Sequence, residues 1–240
     1  MYYEIKIAGH PVIYKFHDKK THLYFTNRIA EYKGEVNEPV IVPEELISKY
    51  QEMSDCRYSY AEYMSALYTA SNTLMRYDCC CYHSAAVCVN GKGYLITGVS
   101  GTGKTTQYLN LRKLFPEHVK IINGDKPFLE FADDGTVIHT SPWRGKEDFG
   151  SDITCKLHGI VFLRQSDRNF IFRMKPETAV FSSLQMFLYN SDSEEAIRKV
   201  CELDRKLLKD IPMWYFLNKG DLESSDMLFN TVLNGGDKNG

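Results

Sequence analysis

Gly98-Val99-Ser100-Gly101-Thr102-Gly103-Lys104-Thr105 is the stretch on which the reading of the fold turns. It matches G-x4-G-K-[ST] at every fixed position, a match that average residue frequencies produce by chance in roughly one chain in a hundred of this length. The β run Tyr94 to Thr97 directly precedes it and a helix is predicted over Thr105 to Leu114, the strand, loop and helix setting that such a loop requires. The glycines let backbone N–H groups turn inward around phosphate oxygens, and the new helix presents its positive end to the same anion. Lys104 is expected to reach the β and γ phosphates and the Thr105 hydroxyl to ligate Mg²⁺, with Gly98 through Thr106 forming the nucleotide-contacting set. A glycine-rich turn that merely caps a helix is the competing reading, but it has no need of Lys104-Thr105.

A phosphate loop works with an acidic residue at the end of a nearby strand. Asp125 follows the apolar run Ile121-Ile122 and lies 21 positions after Lys104, enough for one helix and a return strand. An ordinary Asn-Gly-Asp turn is the alternative.

Working outward, the first 42 residues carry short runs rich in Tyr, Ile, Val and Phe at Tyr2 to Ile7, Val12 to Phe16, His22 to Thr26 and Pro39 to Val42, which predict a small antiparallel β region. Apolar positions from Tyr63 to Tyr77 recur every three or four residues and predict a helix over Glu62 to Tyr77. Asn90-Gly91-Lys92-Gly93 between two apolar runs predicts a hairpin. Further strands are predicted at Val119 to Ile122, Pro127 to Phe131, Thr136 to Thr140, His158 to Leu163, Asn169 to Met174 and Met213 to Leu217. Helices are predicted from Pro176 through Leu188, from a capping box at Ser191 and Glu194 to Pro212, and over Leu222 to Leu233. The expected organisation is a β region with a connecting helix over 1–78, a phosphate-loop domain over 79–233 and a disordered tail over 234–240.

The 240 residues are 43% hydrophobic and 25% charged, with 29 Lys and Arg against 31 Asp and Glu for a net charge of −2. That balance argues against a whole-protein footprint for nucleic acid. No apolar run approaches a membrane span and the start lacks a secretory signal, so the chain reads as cytoplasmic. Seven cysteines, odd in number and unevenly spaced, do not look like a disulfide framework. Strand alternation would put Cys79, Cys81 and His83 on one face, but the spacing is not that of a zinc site, and buried thiols are the expectation.

Four segments in order carry a resemblance: His83-Ser84-Ala85-Ala86-Val87, the phosphate loop, Asn123-Gly124-Asp125-Lys126-Pro127 and Ser141-Pro142-Trp143-Arg144-Gly145-Lys146. Together they resemble the catalytic domain of HPr serine kinase/phosphorylases, more closely the HPr-kinase-like proteins found beside peptide-modification genes, and more distantly ATP-dependent phosphoenolpyruvate carboxykinases. The resemblance covers roughly residues 80 to 233. It implies an α/β fold with a mixed sheet of the HPr kinase and phosphoenolpyruvate carboxykinase type, carrying a small N-terminal β region. It also implies ATP and Mg²⁺ as cofactors, Lys104 and Thr105 as nucleotide and metal contacts, Asp125 as the metal-site carboxylate and His83 as an active-site residue. Arg144 and Lys146, straddling Gly145, would neutralise charge on a transferring phosphoryl group. Lys126 would face either the phosphates or solvent.

One departure stands out. HPr kinases place two adjacent acidic residues at the strand end, one helping to deprotonate the acceptor serine, and here Gly124 stands in the first place. A glycine side chain accepts no proton. The leading expectation is an ATP- and Mg²⁺-dependent phosphotransferase acting on a hydroxyl, a serine of a small protein or peptide, with homo-oligomers as in relatives and with neither nucleic acid nor membrane as partner. A catalytically inactive nucleotide-binding regulatory or scaffold protein is the rival that Gly124 favours, and carboxykinase-like chemistry on a small organic acid is a third reading.

Overall fold

The computed structural model describes residues 1–99 and 101–234. Ser100, and the expected tail beyond Asn234, lie outside the described residues. The N-terminal region is a three-stranded antiparallel sheet of β1 (Tyr2–Ile7), β2 (His10–Tyr14) and β3 (Ala30–Tyr32), followed by helices α1 (Glu44–Ser54) and α2 (Tyr58–Leu74). Strands β4 (Cys79–Tyr82), β5 (Ala85–Val89) and β6 (Lys92–Thr97) lead to α3 (Lys104–Leu114), and β7 (Val119–Asn123), β8 (Phe128–Ala132), β9 (Gly135–His139), β10 (Cys155–Gln165) and β11 (Phe170–Arg173) follow. Helix α4 (Pro176–Leu184), β12 (Phe187–Leu188), α5 (Glu194–Asp210), β13 (Met213–Asn218) and α6 (Leu222–Leu228) close the described fold.

Strands β4 to β13 form one large mixed sheet, ordered β12-β4-β8-β9-β10-β6-β5-β7, with β13 on β10 and β11 on β13. Strand β10 organises it, pairing with β9 through Cys155 and Lys156, with β6 through Leu157 to Phe162 and with β13 through Ile160 to Gln165. Strands β6, β10 and β13 run parallel, and the near-continuous burial of β6 and of the middle of β10 is what a sheet covered on both faces demands. The β5–β6 hairpin turns through Asn90 and Gly91, both at positive φ, as a two-residue turn between right-twisted strands requires.

Three apolar clusters fix the layers. Helices α3 and α6 pack Tyr108, Leu111 and Leu228 against Val87, Ile96 and Phe216 of the sheet. Helix α5 buries Val200, Leu203 and Leu207 against Leu95, Ile160 and Met213, each such side chain contributing about 2 kcal/mol by leaving water. The third cluster joins Ile5, Ile7, Val12 and Tyr14 to Leu67 and Leu74 of α2 and to Cys79, Cys81, Phe128 and Trp143, so the N-terminal region shares its core with the large sheet. Alternation along β4 explains the cysteine triplet: Cys79 and Cys81 enter this cluster while Cys80 faces the other, where its thiol lies 3.2 Å from Ser71 Oγ. Burial pushes the Cys80 thiol up to about 12.

Several local expectations are corrected. His22 to Thr26 is not a strand but lies mostly in a 3-10 turn, Thr21–Phe25, because Glu62 captures its start, accepting from Thr21 Oγ1 at 2.5 Å while Phe25 is buried. The third strand is instead Ala30–Tyr32, and of Pro39 to Val42 only Val40 makes a bridge, to Tyr14. Helix α1 was not foreseen from the apolar spacing. Helix α4 stops at Leu184, and Leu188 belongs to β12, paired with Cys81 on β4. The cap of α5 is Ser193, whose Oγ accepts from Ala196 N, rather than Ser191. The last helix is α-helical only to Leu228 and continues as a π turn over Phe229–Leu233. Cys88 of β5 and Cys155 of β10 form a disulfide, so those two are not the thiols expected of them.

Glu62 is fully buried and accepts from His17 N, Asp18 N and Thr21 Oγ1, tying the loop after β2 to α2. Glu62→Ala strands three donors and is expected to cost about 3 kcal/mol or more, read as a lower urea midpoint. Glu62→Gln, which keeps an acceptor oxygen, should lose less.

Candidate functional site

The three parallel strands β6, β10 and β13 end at Thr97, Gln165 and Asn218, and the crevice beyond such carboxyl ends is where open α/β sheets bind ligands. The glycine-rich segment leaves β6 there. Gly103 takes φ +95° as it caps α3, a conformation that strains any residue with a Cβ, and the helix N-terminus then faces the crevice with its unpaired N–H groups. Lys104 Nζ folds back onto Gly98 O at 2.8 Å and Val99 O at 3.4 Å, and Thr102 Oγ1 donates to Val99 O at 2.9 Å. From β10, Gln165 Nε2 donates to Gly101 O at 2.9 Å. Burial lowers the Lys104 pKa, with Asp125 opposing that shift and Lys126 adding to it. Thr105 is half-buried in the first turn of α3, and the exposed Thr106 lines a cavity of about 500 Å³ with Thr102, Gly103, Gln165 and Asn218.

Asp125 and His83 are brought together beside this loop. Thr97, the last residue of β6, donates to His83 O at 2.6 Å, and His83 N donates to Met186 O at 2.7 Å, which fixes the backbone of His83 at the base of the loop. Asp125 O accepts from Ser84 N at 3.1 Å. The side chains then meet: His83 Nε2 lies 3.3 Å from Asp125 Oδ1, and Lys126 Nζ lies 2.7 Å from Asp125 Oδ2. Burial opposes ionisation of Asp125, but the hydrogen bond from His83 and the charge and hydrogen bond of Lys126 override it and hold the carboxyl at about 2. Burial also lowers the His83 pKa below its ordinary value, the Asp125 hydrogen bond only partly countering it and the charges of Lys126 and Lys104 assisting. Near neutral pH the pair is therefore a carboxylate and a neutral imidazole. An ionised carboxylate only accepts, so Nε2 carries the ring proton and Nδ1 keeps its lone pair.

Asn123 holds this arrangement. Fully buried at the end of β7, its Oδ1 accepts from Asp125 N at 2.9 Å and Lys126 N at 2.8 Å, while its Nδ2 donates to Ser141 O at 3.2 Å. Its signal was present in the Asn-Gly-Asp triplet, but in sequence an Asn there is indistinguishable from an ordinary turn residue. Gly124 lies under the segment that Asn123 pulls in: a Cβ built on it would stand 2.6 Å from Arg144 O and 3.2 Å from Phe149 O. The space beside Gly124 is thus closed by backbone.

Arg144 is held within its own loop. Expected at the transferring phosphoryl group, it is 7% exposed with Nε on Ser141 O, Nη1 on Gly150 O at 2.9 Å and Nη2 on Asp152 Oδ1 at 2.7 Å, so its guanidinium clamps its own loop. Trp143 anchors that loop from the other side, packing on Phe25 and Tyr63 and donating from Nε1 to Tyr63 O at 3.0 Å. Gly145 comes against Asp125, its Cβ position 3.1 Å from that of Asp125, and Lys146 beside it is exposed.

A hydroxyl and a carboxylate, such as Thr105 and Asp125 carry, are the kind of oxygen donors that Mg²⁺ takes beside phosphates and waters, and the Asp125 carboxylate here meets His83 and Lys126. Among the described residues no three His, Cys, Asp or Glu side chains gather into a self-sufficient metal site.

No protein-family model matches the chain, and no curated protein matches it. Among solved structures, the HPr(Ser) kinase/phosphatase from Coxiella burnetii is similar at 13% sequence identity and a TM-score of 0.39, over 64% of this chain and 97% of that one. A likeness of that size fixes no activity, and the chemistry must come from the side chains themselves. No helix among the described residues is long and apolar enough to cross a membrane.

Asp125 ionises more readily folded, at about 2, than in an unfolded chain near 3.9. Its contribution is therefore fully present above about pH 4 and lost as pH falls through 2, worth about 2 kcal/mol. Acid unfolding followed by circular dichroism should show Asp125→Asn losing less stability than the parent across that window. Gly124→Asp should be destabilised by about 1–3 kcal/mol, because Arg144 O occupies the site of the new Cβ.

Proposed function

We propose that the chain is a phosphotransferase that uses a purine nucleoside triphosphate with Mg²⁺ to phosphorylate a hydroxyl, a serine of a small protein or peptide, as an HPr-kinase-like enzyme would. The observation that carries this reading is the approach of His83 Nε2 to within 3.3 Å of Asp125 Oδ1 beside the glycine-rich loop. The four-segment sequence resemblance supports the same chemistry, with ATP as the donor it implies.

In this reading Gly98 through Thr106 cradle the phosphates and Lys104 exchanges its contacts with Gly98 O and Val99 O for β- and γ-phosphate oxygens. Mg²⁺, held by Thr105 and Asp125 with the phosphates, would screen the charge on the β- and γ-oxygens. His83 Nδ1 accepts the acceptor's hydroxyl proton as its oxygen attacks the γ-phosphorus. The bond from that phosphorus to the β–γ bridging oxygen breaks, and its electron pair leaves with the nucleoside diphosphate. Asp125 orients the imidazole and stabilises its protonated form, as a carboxylate does for a catalytic histidine elsewhere. Lys126, and Lys146 on the exposed side of the loop, are the cations available to the equatorial oxygens. This assigns to His83 the proton-accepting task that Gly124 cannot perform.

Transfer of label from the γ-phosphate to protein, peptide or hydroxyl acceptors tests the reading. Lys104→Ala and Asp125→Ala should abolish it, and His83→Gln should slow it by about 10²–10⁴. In the wild type, kcat/KM should fall on the acid side with a midpoint below 6.5, the burial-lowered His83 value, and His83→Gln should remove that limb. Nucleotide binding without transfer to any acceptor would instead favour a regulatory or scaffold protein.

A further inference from the structure

Cys88 and Cys155 have a place in the fold that the chemistry at the glycine-rich loop does not use. Cys88 lies on β5, Cys155 opens β10, and the strand between them in the sheet is β6. Strands on either side of a third stand about 10 Å apart. Here the two Cα atoms are 6.4 Å apart. Two local features allow that approach. Gly93, the β6 residue paired with Cys88, leaves the space open: a Cβ there would stand 3.1 Å from Cys155 Cβ, 2.7 Å from Ile138 Cδ1 and 2.7 Å from Lys156 O. Beside it β10 shifts its register against β6 between Leu157 and Gly159. Gly93 is not among the residues at positive φ, so the hairpin turn at Asn90-Gly91 does not call for a glycine there. The close approach of β9 and β10 does.

This pair differs from the other five cysteines. Cys79, Cys80 and Cys81 are fully buried, and burial pushes all three thiols up, the opposite of what thiol exchange requires. Cys56 and Cys201 are free. Cys88 and Cys155 each keep 8% of their surface exposed. Cys88 also stands opposite Lys120 on the edge strand β7, and the exposed lysine shares its face of the sheet. A lysine beside a cysteine favours the thiolate, the form that breaks and remakes disulfides.

The bridge joins residues 67 apart in sequence, and the ring it closes contains the glycine-rich loop, α3, Asn123 with Asp125 and Lys126, and the loop of Trp143, Arg144 and Lys146. Of the residues assigned to the candidate site, only His83 lies outside it. We propose that Cys88 and Cys155 form a reversible dithiol and disulfide site, through which an external dithiol sets how firmly this ring is held. One thiolate of the dithiol attacks a sulfur of the bridge, forming a mixed disulfide and releasing the other cysteine as a thiolate that takes up a proton. The second thiol then displaces the remaining cysteine. Two electrons and two protons pass to Cys88 and Cys155, and the dithiol leaves as a disulfide. The inference does not depend on the proposed reaction, since its readouts are chemical and thermal.

The test uses the full chain, oxidised with glutathione disulfide and then reduced with dithiothreitol under native conditions. Thiols are trapped with iodoacetamide after denaturation, counted by mass and located by peptide mapping. The oxidised protein should take up five labels and the reduced protein seven, the two new ones at Cys88 and Cys155. Reduction should lower the melting temperature by about 5–15 °C, the effect of opening a ring of this length in a chain of this size. Returning the reduced protein to glutathione disulfide should restore both the label count and the melting temperature. Cys88→Ser should melt with the reduced wild type, and its melting temperature should respond to neither reagent. Labels at Cys88 and Cys155 after glutathione disulfide, a bridge that dithiothreitol leaves closed in the native protein, or a wild-type melting temperature that does not move on reduction would overturn the proposal.

Discussion

The buried amide of Asn123 is the constraint on which the site depends. One side chain, inaccessible to water, accepts from the backbone of Asp125 and Lys126 and donates to the carbonyl of Ser141. The first two bonds set the turn that carries the carboxylate, and the third brings the segment after β9 across Gly124. A buried polar group of this kind is costly unless fully bonded, so its partners are effectively fixed. Ser141 extends the network, donating to Lys126 O at 2.5 Å while its hydroxyl oxygen accepts from Trp143 N at 3.2 Å. Trp143 then seats the loop in the apolar cluster that holds the N-terminal region. The small β region at the start of the chain is thereby coupled, through packing rather than charge, to the geometry around Asp125.

The electrostatics follow from the same crowding. Lys104, His83 and Asp125 sit where burial penalises charge, yet the carboxylate beside His83 and Lys126 is held ionised and the imidazole is held neutral. A net charge of −2 over the whole chain says nothing of this. Lys104 and Lys126 are gathered near the end of three parallel strands, where a helix N-terminus adds its own partial charge.

Legibility in sequence tracked how local each determinant is. The glycine-rich turn into α3, the β5–β6 hairpin and the strands flanking the helices are legible because glycine spacing, an Asn-Gly turn and apolar periodicity act within a few residues. Asp125 and His83 could be named as candidates, but their pairing depends on β4, β6 and β7 meeting in the sheet, which spacing does not reveal. A cation beside Trp143 and Gly145 has the composition of a phosphate contact, and only the fold supplies the carbonyls of Ser141 and Gly150 and the carboxylate of Asp152 that Arg144 meets. Thr21–Phe25 has strand composition, yet the distant Glu62 takes its hydrogen bonds. Asn123 is hard to single out for a related reason: a buried asparagine that ties segments together looks in sequence like a turn residue.

The central claim is that His83, held by Asp125, faces the open side of a γ-phosphate bound in the loop at Gly98 to Thr106. The most direct measurement is a structure of the protein with Mg²⁺ and a non-hydrolysable nucleoside triphosphate. The account predicts Lys104 Nζ on β- and γ-phosphate oxygens and the His83 ring, still bonded to Asp125, on the side from which an acceptor hydroxyl would attack. A γ-phosphate whose open side meets only water and backbone, with His83 turned away from it, would contradict the account.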